Sequence, residues 1–366
     1  MAVKQIMLHK LTKGMKIAED VYKGSQLLVK KNKEVTQEIL DILHFSSIVS
    51  VAIYDGEEPV PEKKAGIPPS LQKSQPSHSE KLRQSEAFKK FEEEFNETTE
   101  TFTHALNDIA KKTDSVNMDE LFDSANNIME NATNTYQLMD ILSNIRYFDD
   151  STYAHSLNVA LLANILGRWL HFDEEQLKKI TVAGMLHDIG KVLIPKEIIQ
   201  KPGKLTEEEF QMIKSHPAKG YNLLKSKNVD EEIAQAALMH HEKCDGTGYP
   251  MKVTGDKICY TAKVIGIVDV YEAMTANRCY RDGICPFQVI RMFEDEGYTK
   301  YDPQYMIPFL RGIADTYLHN TVLLSDGSQG EIILTNNTTP SKPSLMVGGT
   351  YVDLAMKPGL TIEKIL

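Results

Sequence analysis

Residues 180–191 read Ile-Thr-Val-Ala-Gly-Met-Leu-His-Asp-Ile-Gly-Lys. Leu177, Ile180, Ala183 and Leu186 recur at helical spacing, so this stretch closes a helix with an apolar face. His187 and Asp188 stand where that helix stops. An imidazole and a carboxylate at the end of a buried helix are costly unless each has a partner. Both are good ligands for transition metals, and one carboxylate can bridge two ions about 3.5–4 Å apart. A lone His-Asp pair arises often by chance, so the reading turns on its surroundings.

Working outward, further histidines and carboxylates fall within or at the ends of helical segments. His216-Pro217 opens a helix behind Lys214-Ser215. His240-His241-Glu242 ends a helix that begins at Asp230, and two adjacent imidazoles at a fraying helix end can turn toward one pocket. Asp269 sits mid-helix in Ile265-Gly266-Ile267-Val268-Asp269-Val270-Tyr271, where a carboxylate needs a cation or strong donors. His155, in Tyr153-Ala154-His155-Ser156-Leu157, starts an apolar helix that runs through Leu166. Singly, His155 reads as a satisfied core histidine. Together the segments read as a metal centre. After the paired histidines comes Asp245-Gly246-Thr247-Gly248-Tyr249-Pro250, whose glycines permit close backbone approach and would present Tyr249 on a tight loop. By itself that string is a plain turn.

In order and spacing, His187-Asp188-Ile189-Gly190-Lys191, then K-x-H-P-x-x-G from Lys214 to Gly220, then H-H-E-K-x-D-G-x-G-Y-P from His240 to Pro250 resemble the HD-GYP branch of the HD phosphohydrolase superfamily. The resemblance covers roughly residues 136 to 318. It implies an all-α catalytic bundle, a di- or trinuclear metal site, and cleavage of cyclic di-GMP to linear pGpG or to GMP. Carried over residue by residue, it implies one metal on His155, His187, Asp188 and Asp269, and another on Asp188, His216, His240 and His241, with Asp188 as the bridge. It also implies that Lys191 contacts a phosphate, that Tyr249 lines the pocket, and that Arg278 and Arg281 hold phosphate or guanine. Some members carry a glutamate four residues before the first histidine and hold a third metal with it. Here that position is Ser151, and Asp149 and Asp150 fall at a different helical angle, so two metals are expected. Glu272 stands where the family often has aspartate.

The expected fold is mainly α: an HD-type helical bundle with a small α/β N-terminal module and a small β-rich C-terminal appendage. Residues 1–55 form the N-terminal module, with strands at Gln26 to Lys30 and Ile48 to Tyr54 around a helix capped by Thr36. Residues 56–79, rich in Pro, Ser, Lys and Glu, read as a disordered linker. Residues 80–135 read as long helices, with Phe88, Phe91, Phe95, Phe102, Leu106 and Ile109 at helical spacings. That stripe packs on its own domain or, in a second reading, joins two chains through residues 80–145. Residues 136–319 are the catalytic region. It carries a capping box at Thr206 to Glu209, and Pro217, Pro286 and Pro303 stand at first helical positions. In residues 320–366 the period changes, with strands on either side of Asp326-Gly327 and more around Tyr351 to Leu354 and Leu360 to Leu366. Both end regions resemble companions of the HD-GYP catalytic domain.

Bulk composition narrows the function. The chain of 366 residues carries net charge -10, against broad binding to nucleic-acid polymers or anionic membranes. A small anionic substrate remains compatible, because metal ions supply positive charge locally. The four cysteines form no C-x-x-C pair, and no window reaches about 18 apolar residues, so a cytoplasmic protein without a membrane span is expected. A His-rich site with carboxylates suits divalent iron or manganese first, then nickel or zinc, better than magnesium. The expected chemistry is metal-assisted hydrolysis, with water attacking phosphorus in line with the departing 3′ oxygen. The resemblance adds diguanylate cyclases as partners. Two rival readings stand beside it: an HD hydrolase acting on (p)ppGpp or nucleoside triphosphates, and a catalytically weak cyclic-dinucleotide receptor or scaffold.

Overall fold

The computed structural model describes residues 2–7, 11–23, 26–36, 39–40, 43, 50–55, 84–111, 117–130, 132, 135–145, 152–201, 205–276 and 283–366. The chain divides into two compact units, residues 1–75 with 196–210, and residues 76–195 with 211–366. The expected linker over 56–79 lies outside the described residues.

In the first unit, β1 (Ala2–Met7) pairs antiparallel with β4 (Ser50–Asp55), from Ala2 opposite Asp55 to Met7 opposite Ser50. β2 (Val21–Lys23) and β3 (Gln26–Val29) form a second antiparallel pair. The Thr36 hydroxyl accepts from Ile39 N at 3.3 Å, the cap expected there. Ile17, Val35, Leu43 and Val51 are among the residues that close this unit's core. β1 and β2 were not anticipated. Ala-Val-Lys-Gln-Ile-Met does not alternate, and it becomes a strand because β4 supplies its hydrogen bonds.

The second unit is helical. Its helices are α1 (Glu86–Lys111), α2 (Met118–Glu130), α3 (Thr135–Ile145), α4 (Thr152–Trp169) and α5 (Glu174–Leu186). A 3₁₀ turn at Ile189–Leu193 follows; the short α6 (Lys196–Ile199) falls in the stretch grouped with the first unit, and α7 (Glu207–Lys214) crosses the division between the two. α8 (His216–Ser226), α9 (Glu231–Met239), α10 (Tyr260–Thr275), α11 (Pro286–Lys300) and α12 (Pro303–Asp315) complete the set. The punctuation is local and follows the sequence. Thr206 and Glu209 form the reciprocal capping box, and Pro217, Pro286 and Pro303 occupy the first turns of α8, α11 and α12. α4 is apolar on nearly every side, and α5, α10 and α12 pack around it. Phe88, Phe91, Phe95 and Phe102 of α1 are buried in the same core as α4. Their apolar stripe is therefore taken up inside the chain. A dimer through residues 80–145 would have to use another face.

The C-terminal strands β5 (Thr321–Leu324), β6 (Gln329–Leu334), β7 (Ser344–Val347), β8 (Thr350–Asp353) and β9 (Ile362–Ile365) form one antiparallel sheet in the order β8-β7-β6-β5-β9. The Asp326-Gly327 turn joins β5 to β6 as expected. Gly327 has φ +84°, and the Asp326 carboxylate accepts from Ser328 N at 2.9 Å. β7 was not anticipated. Val322, Ile332, Leu345 and Ile362 continue the helical core into the sheet. The mainly helical architecture with two small β-containing ends is the one expected. Among the described residues, no helix is long and apolar enough to cross a membrane.

Candidate metal centre

α5 is started by Asp173, whose side chain accepts from Gln176 N while Gln176 caps back, and it ends at His187. Beyond it the 3₁₀ turn carries Gly190 against the start of α8. A Cβ on Gly190 would lie 2.0 Å from the His216 carbonyl oxygen and 2.6 Å from Gly220 N. The absence of a side chain there is what lets His187-Asp188 and His216 share one site. His240 caps α9, and His241 follows it. The loop after them is held by Glu242, which is buried and accepts from the backbone N–H groups of Met251 (2.6 Å), Lys252 (3.0 Å) and Val253 (3.1 Å). Gly248 packs directly on the Glu242 backbone, where a Cβ would come within 2.4 Å of Glu242 Cα.

The structure brings together all seven residues expected to bind metal. Donor atoms of Asp188, His216, His240 and His241 lie within 4.8 Å of one another, and so do those of His155, His187 and Asp188. Asp188 belongs to both groups. Its Oδ1 is 3.1 Å from His216 Nε2 and 3.9 Å from His240 Nε2, and its Oδ2 is 3.4 Å from His187 Nε2 and 3.7 Å from His155 Nε2. Asp269, from the middle of α10, places Oδ1 3.1 Å from His155 Nε2 and Oδ2 3.9 Å from His241 Nδ1.

The tautomers follow from the outer hydrogen bonds. His187 Nδ1 is 2.7 Å from the Gly184 carbonyl, His216 Nδ1 is 2.7 Å from that of Ile213, and His240 Nδ1 is 3.0 Å from that of Ala237. A carbonyl only accepts, so each Nδ1 carries a hydrogen, and in the neutral ring it is Nε2 that holds the lone pair. Those lone pairs converge: His216 Nε2 and His240 Nε2 are 3.3 Å apart. His187 Nε2 and Asp188 Oδ1 are buried without a hydrogen-bond donor. Acceptors packed against acceptors in a buried site are repulsive until a cation lies between them. The donor set of neutral imidazoles and carboxylates fits divalent metal ions of the transition series.

Electrostatics divide the rings: His240 and His241 are held neutral, whereas the acids around His155 favour its protonated form until a metal displaces the proton. Burial disfavours the charged forms of His240 and His241, holding His240 well below the usual range and His241 down at about 3. Burial also works against charge on His155, but the carboxylates of Glu272 and Asp269 outweigh it and raise its pKa to about 9. For Asp188, burial would push the carboxyl up, yet the Lys191 ammonium holds it well below the ordinary carboxylate value.

Lys191, expected at the phosphate, places Nζ 2.5 Å from Asp188 Oδ2. Tyr249, expected to line the pocket, stacks on His241 with ring centroids 4.6 Å apart, and Lys214 Nζ lies 4.8 Å from its ring centre. Arg278 and Arg281, and Ser151 with Asp149 and Asp150, lie outside the described residues. Two buried acids had been given no role from the sequence. Glu272 receives His155 Nδ1 at 2.5 Å. Its spacing three residues after Asp269 on one helix was a readable signal. Glu242 had no such signal, because its partners lie across a loop.

An HD domain family profile matches residues 115–305. A cyclic di-GMP phosphodiesterase of Pseudomonas aeruginosa is 35% identical over 194 residues, 52% of this chain and 46% of that one. A cyclic di-GMP phosphodiesterase response regulator of Xanthomonas campestris is 35% identical over 172 residues, 46% of each chain. A 3'3'-cGAMP-specific phosphodiesterase of Vibrio cholerae is 34% identical over 153 residues, 42% of this chain and 33% of that one. The chain spans about half the length, or less, of these curated relatives. Among solved structures, an HDG"Y"P protein from Bdellovibrio bacteriovorus superposes with a TM-score of 0.45 at 15% identity, over 84% of this chain and 98% of that one.

Proposed function

The chain belongs to the HD domain family, and on that premise we propose that it is a metal-dependent phosphodiesterase that hydrolyses cyclic di-GMP to linear pGpG or GMP. The observation that carries the reading is the pair of donor clusters sharing Asp188, with the Nε2 atoms of His216 and His240 facing one another in a buried site. His155, His187, Asp188 and Asp269 would hold one divalent ion, and Asp188, His216, His240 and His241 a second, with iron or manganese the favoured metals. When bound, such ions lower the pKa of water and neutralise phosphate oxygens. The protein's own groups do the rest. Lys191, already drawn to Asp188 Oδ2, offers its ammonium to a non-bridging phosphate oxygen. Asp188 and Asp269 stay ionised, and His240 and His241 stay neutral at pH 7. Tyr249 forms a wall of the pocket against His241.

Residues 136–319 are the catalytic part in this reading, and an intracellular messenger as substrate places it in the cytoplasm. Diguanylate cyclases, which make that messenger, are the partners we propose, together with self-association through an outer face of residues 80–145. Similarity to the Vibrio cholerae protein named for 3'3'-cGAMP favours that hybrid dinucleotide as a second substrate to test.

The test is turnover and metal content on one anaerobically prepared sample, with cyclic di-GMP, 3′3′-cGAMP and a small generic phosphodiester as substrates. About two ions per chain are expected, with cyclic di-GMP cut fastest. A folded, active and metal-free enzyme would sink the metal assignment. A metal-loaded protein that binds cyclic di-GMP without cutting it would make the chain a receptor instead.

Arg278 and Arg281 are proposed to bind substrate, because guanidinium offers two-pronged donors to phosphate or the guanine edge. Arg278→Ala should raise KM for cyclic di-GMP strongly and leave bound metal unchanged, while the generic diester suffers much less. Equal loss on both substrates, or loss of metal, would make these arginines structural.

A further inference from the structure

The histidines of the centre are not oriented by equivalent means. His187, His216 and His240 each turn Nδ1 to a main-chain carbonyl of the turn just before them. His155 turns Nδ1 to a carboxylate on another helix, Glu272 Oε2 at 2.5 Å. Glu272 is 2% exposed, so water does little to screen its charge. Asn158, one turn after His155 on α4, donates Nδ2 to Glu272 Oε1 at 3.3 Å, so both carboxylate oxygens face α4. The arrangement fixes the ring of His155 and leaves its Nε2 directed at Asp269 Oδ1 (3.1 Å) and Asp188 Oδ2 (3.7 Å).

A charged acceptor behind an imidazole strengthens the hydrogen bond and makes the far nitrogen a better donor to a metal. The His216, His240 and His241 group shares Asp188, but among the described residues no acid lies within hydrogen-bond distance of Nδ1 of these rings. Two of its rings are backed by neutral carbonyls, and His241 Nδ1 lies 3.9 Å from Asp269 Oδ2. The nearer Asp269 oxygen also lies on the His155 side.

We propose that Glu272, acting through His155, is a positioning residue that makes the His155–His187–Asp188 position the tighter of two unequal metal positions. The inference rests on the metal reading of the centre and goes beyond it by ranking the two positions and naming the cause. The consequence is ordered loading and ordered loss, with the His216–His240–His241 position emptying first.

The experiment is titration of metal-stripped full-length protein with Mn²⁺ against a fluorescent chelator, with melting of the stripped protein measured alongside. Wild type should bind two ions with separable affinities. Glu272→Gln keeps an acceptor of the same shape but removes the charge. It should weaken the tighter ion roughly 10- to 100-fold, leave the weaker ion in place, and change the stripped protein's melting little. Glu272→Asp restores a carboxylate one methylene short and should recover part of the loss. Equal weakening of both ions, or no weakening, overturns the proposal. So does a melting loss without an affinity change, which would make Glu272 a core residue only. Failure of the metal reading itself looks different: wild type would then bind no Mn²⁺ at either position.

Discussion

Asp188→Asn should lower kcat/KM for cyclic di-GMP by at least about a thousandfold, roughly 4 kcal/mol of transition-state stabilisation. Among the described residues, Asp188 is the one shared by both donor clusters, with one oxygen toward His216 and His240 and the other toward His155, His187 and Lys191. Asparagine keeps the shape and loses the charge, so it cannot join two cations or hold Lys191 by ion pairing. Its amide can still donate toward an imidazole Nε2, so the packing survives and the protein should melt near the wild-type temperature. Metal content should fall from about two ions per chain to one or none. Kinetics, elemental analysis and a thermal melt on one preparation decide the matter. Near-normal turnover by Asp188→Ala would remove Asp188 from the chemistry.

Gly190→Ala should damage fold and centre together. The added carbon would sit 2.0 Å from the His216 carbonyl oxygen and 2.6 Å from Gly220 N, both main-chain atoms that cannot swing aside as a side chain would. Overpacking of this kind typically costs about 1–3 kcal/mol, and relief requires the 3₁₀ turn and the first turn of α8 to part. His216 is the first residue of α8 and lies 3.1 Å from Asp188 Oδ1, so the same movement pulls a donor away from the bridge. A melting point several degrees lower is expected, together with selective loss of the ion held by His216, His240 and His241. An unchanged melt with full metal content would mean that the turn and α8 have room for a methyl group between them.

The helices were legible because their signals are local. A capping box spans three residues, and a proline at a first helical turn needs nothing distant. Thr206, Pro217, Pro286 and Pro303 therefore stand where the chain alone placed them. β1 and β7 were missed because a strand draws its stability from its partner. Residues 2–7 gain theirs from 50–55, and Ser344–Val347 gains its own from β6 and β8. The phenylalanine stripe of α1 was legible as a stripe but not as to what it covers.

For the centre, the division is between chemistry and facing. That His155, His187, Asp188, His216, His240, His241 and Asp269 are metal-type donors at helix ends or on apolar helices is a property of residue type and spacing, present in the chain itself. Which nitrogen of each ring carries the hydrogen depended on the carbonyl or carboxylate behind it, and only packing supplies that neighbour. The Glu242 clamp is of the same kind, a buried carboxylate satisfied by N–H groups nine to eleven residues away, once the loop has closed. His155 and Glu272 are 117 residues apart in sequence and 2.5 Å apart in space. Donor chemistry belongs to single residues and travels with the sequence. The direction in which a lone pair points is set by helices packed across such separations, so only the tertiary structure decided it.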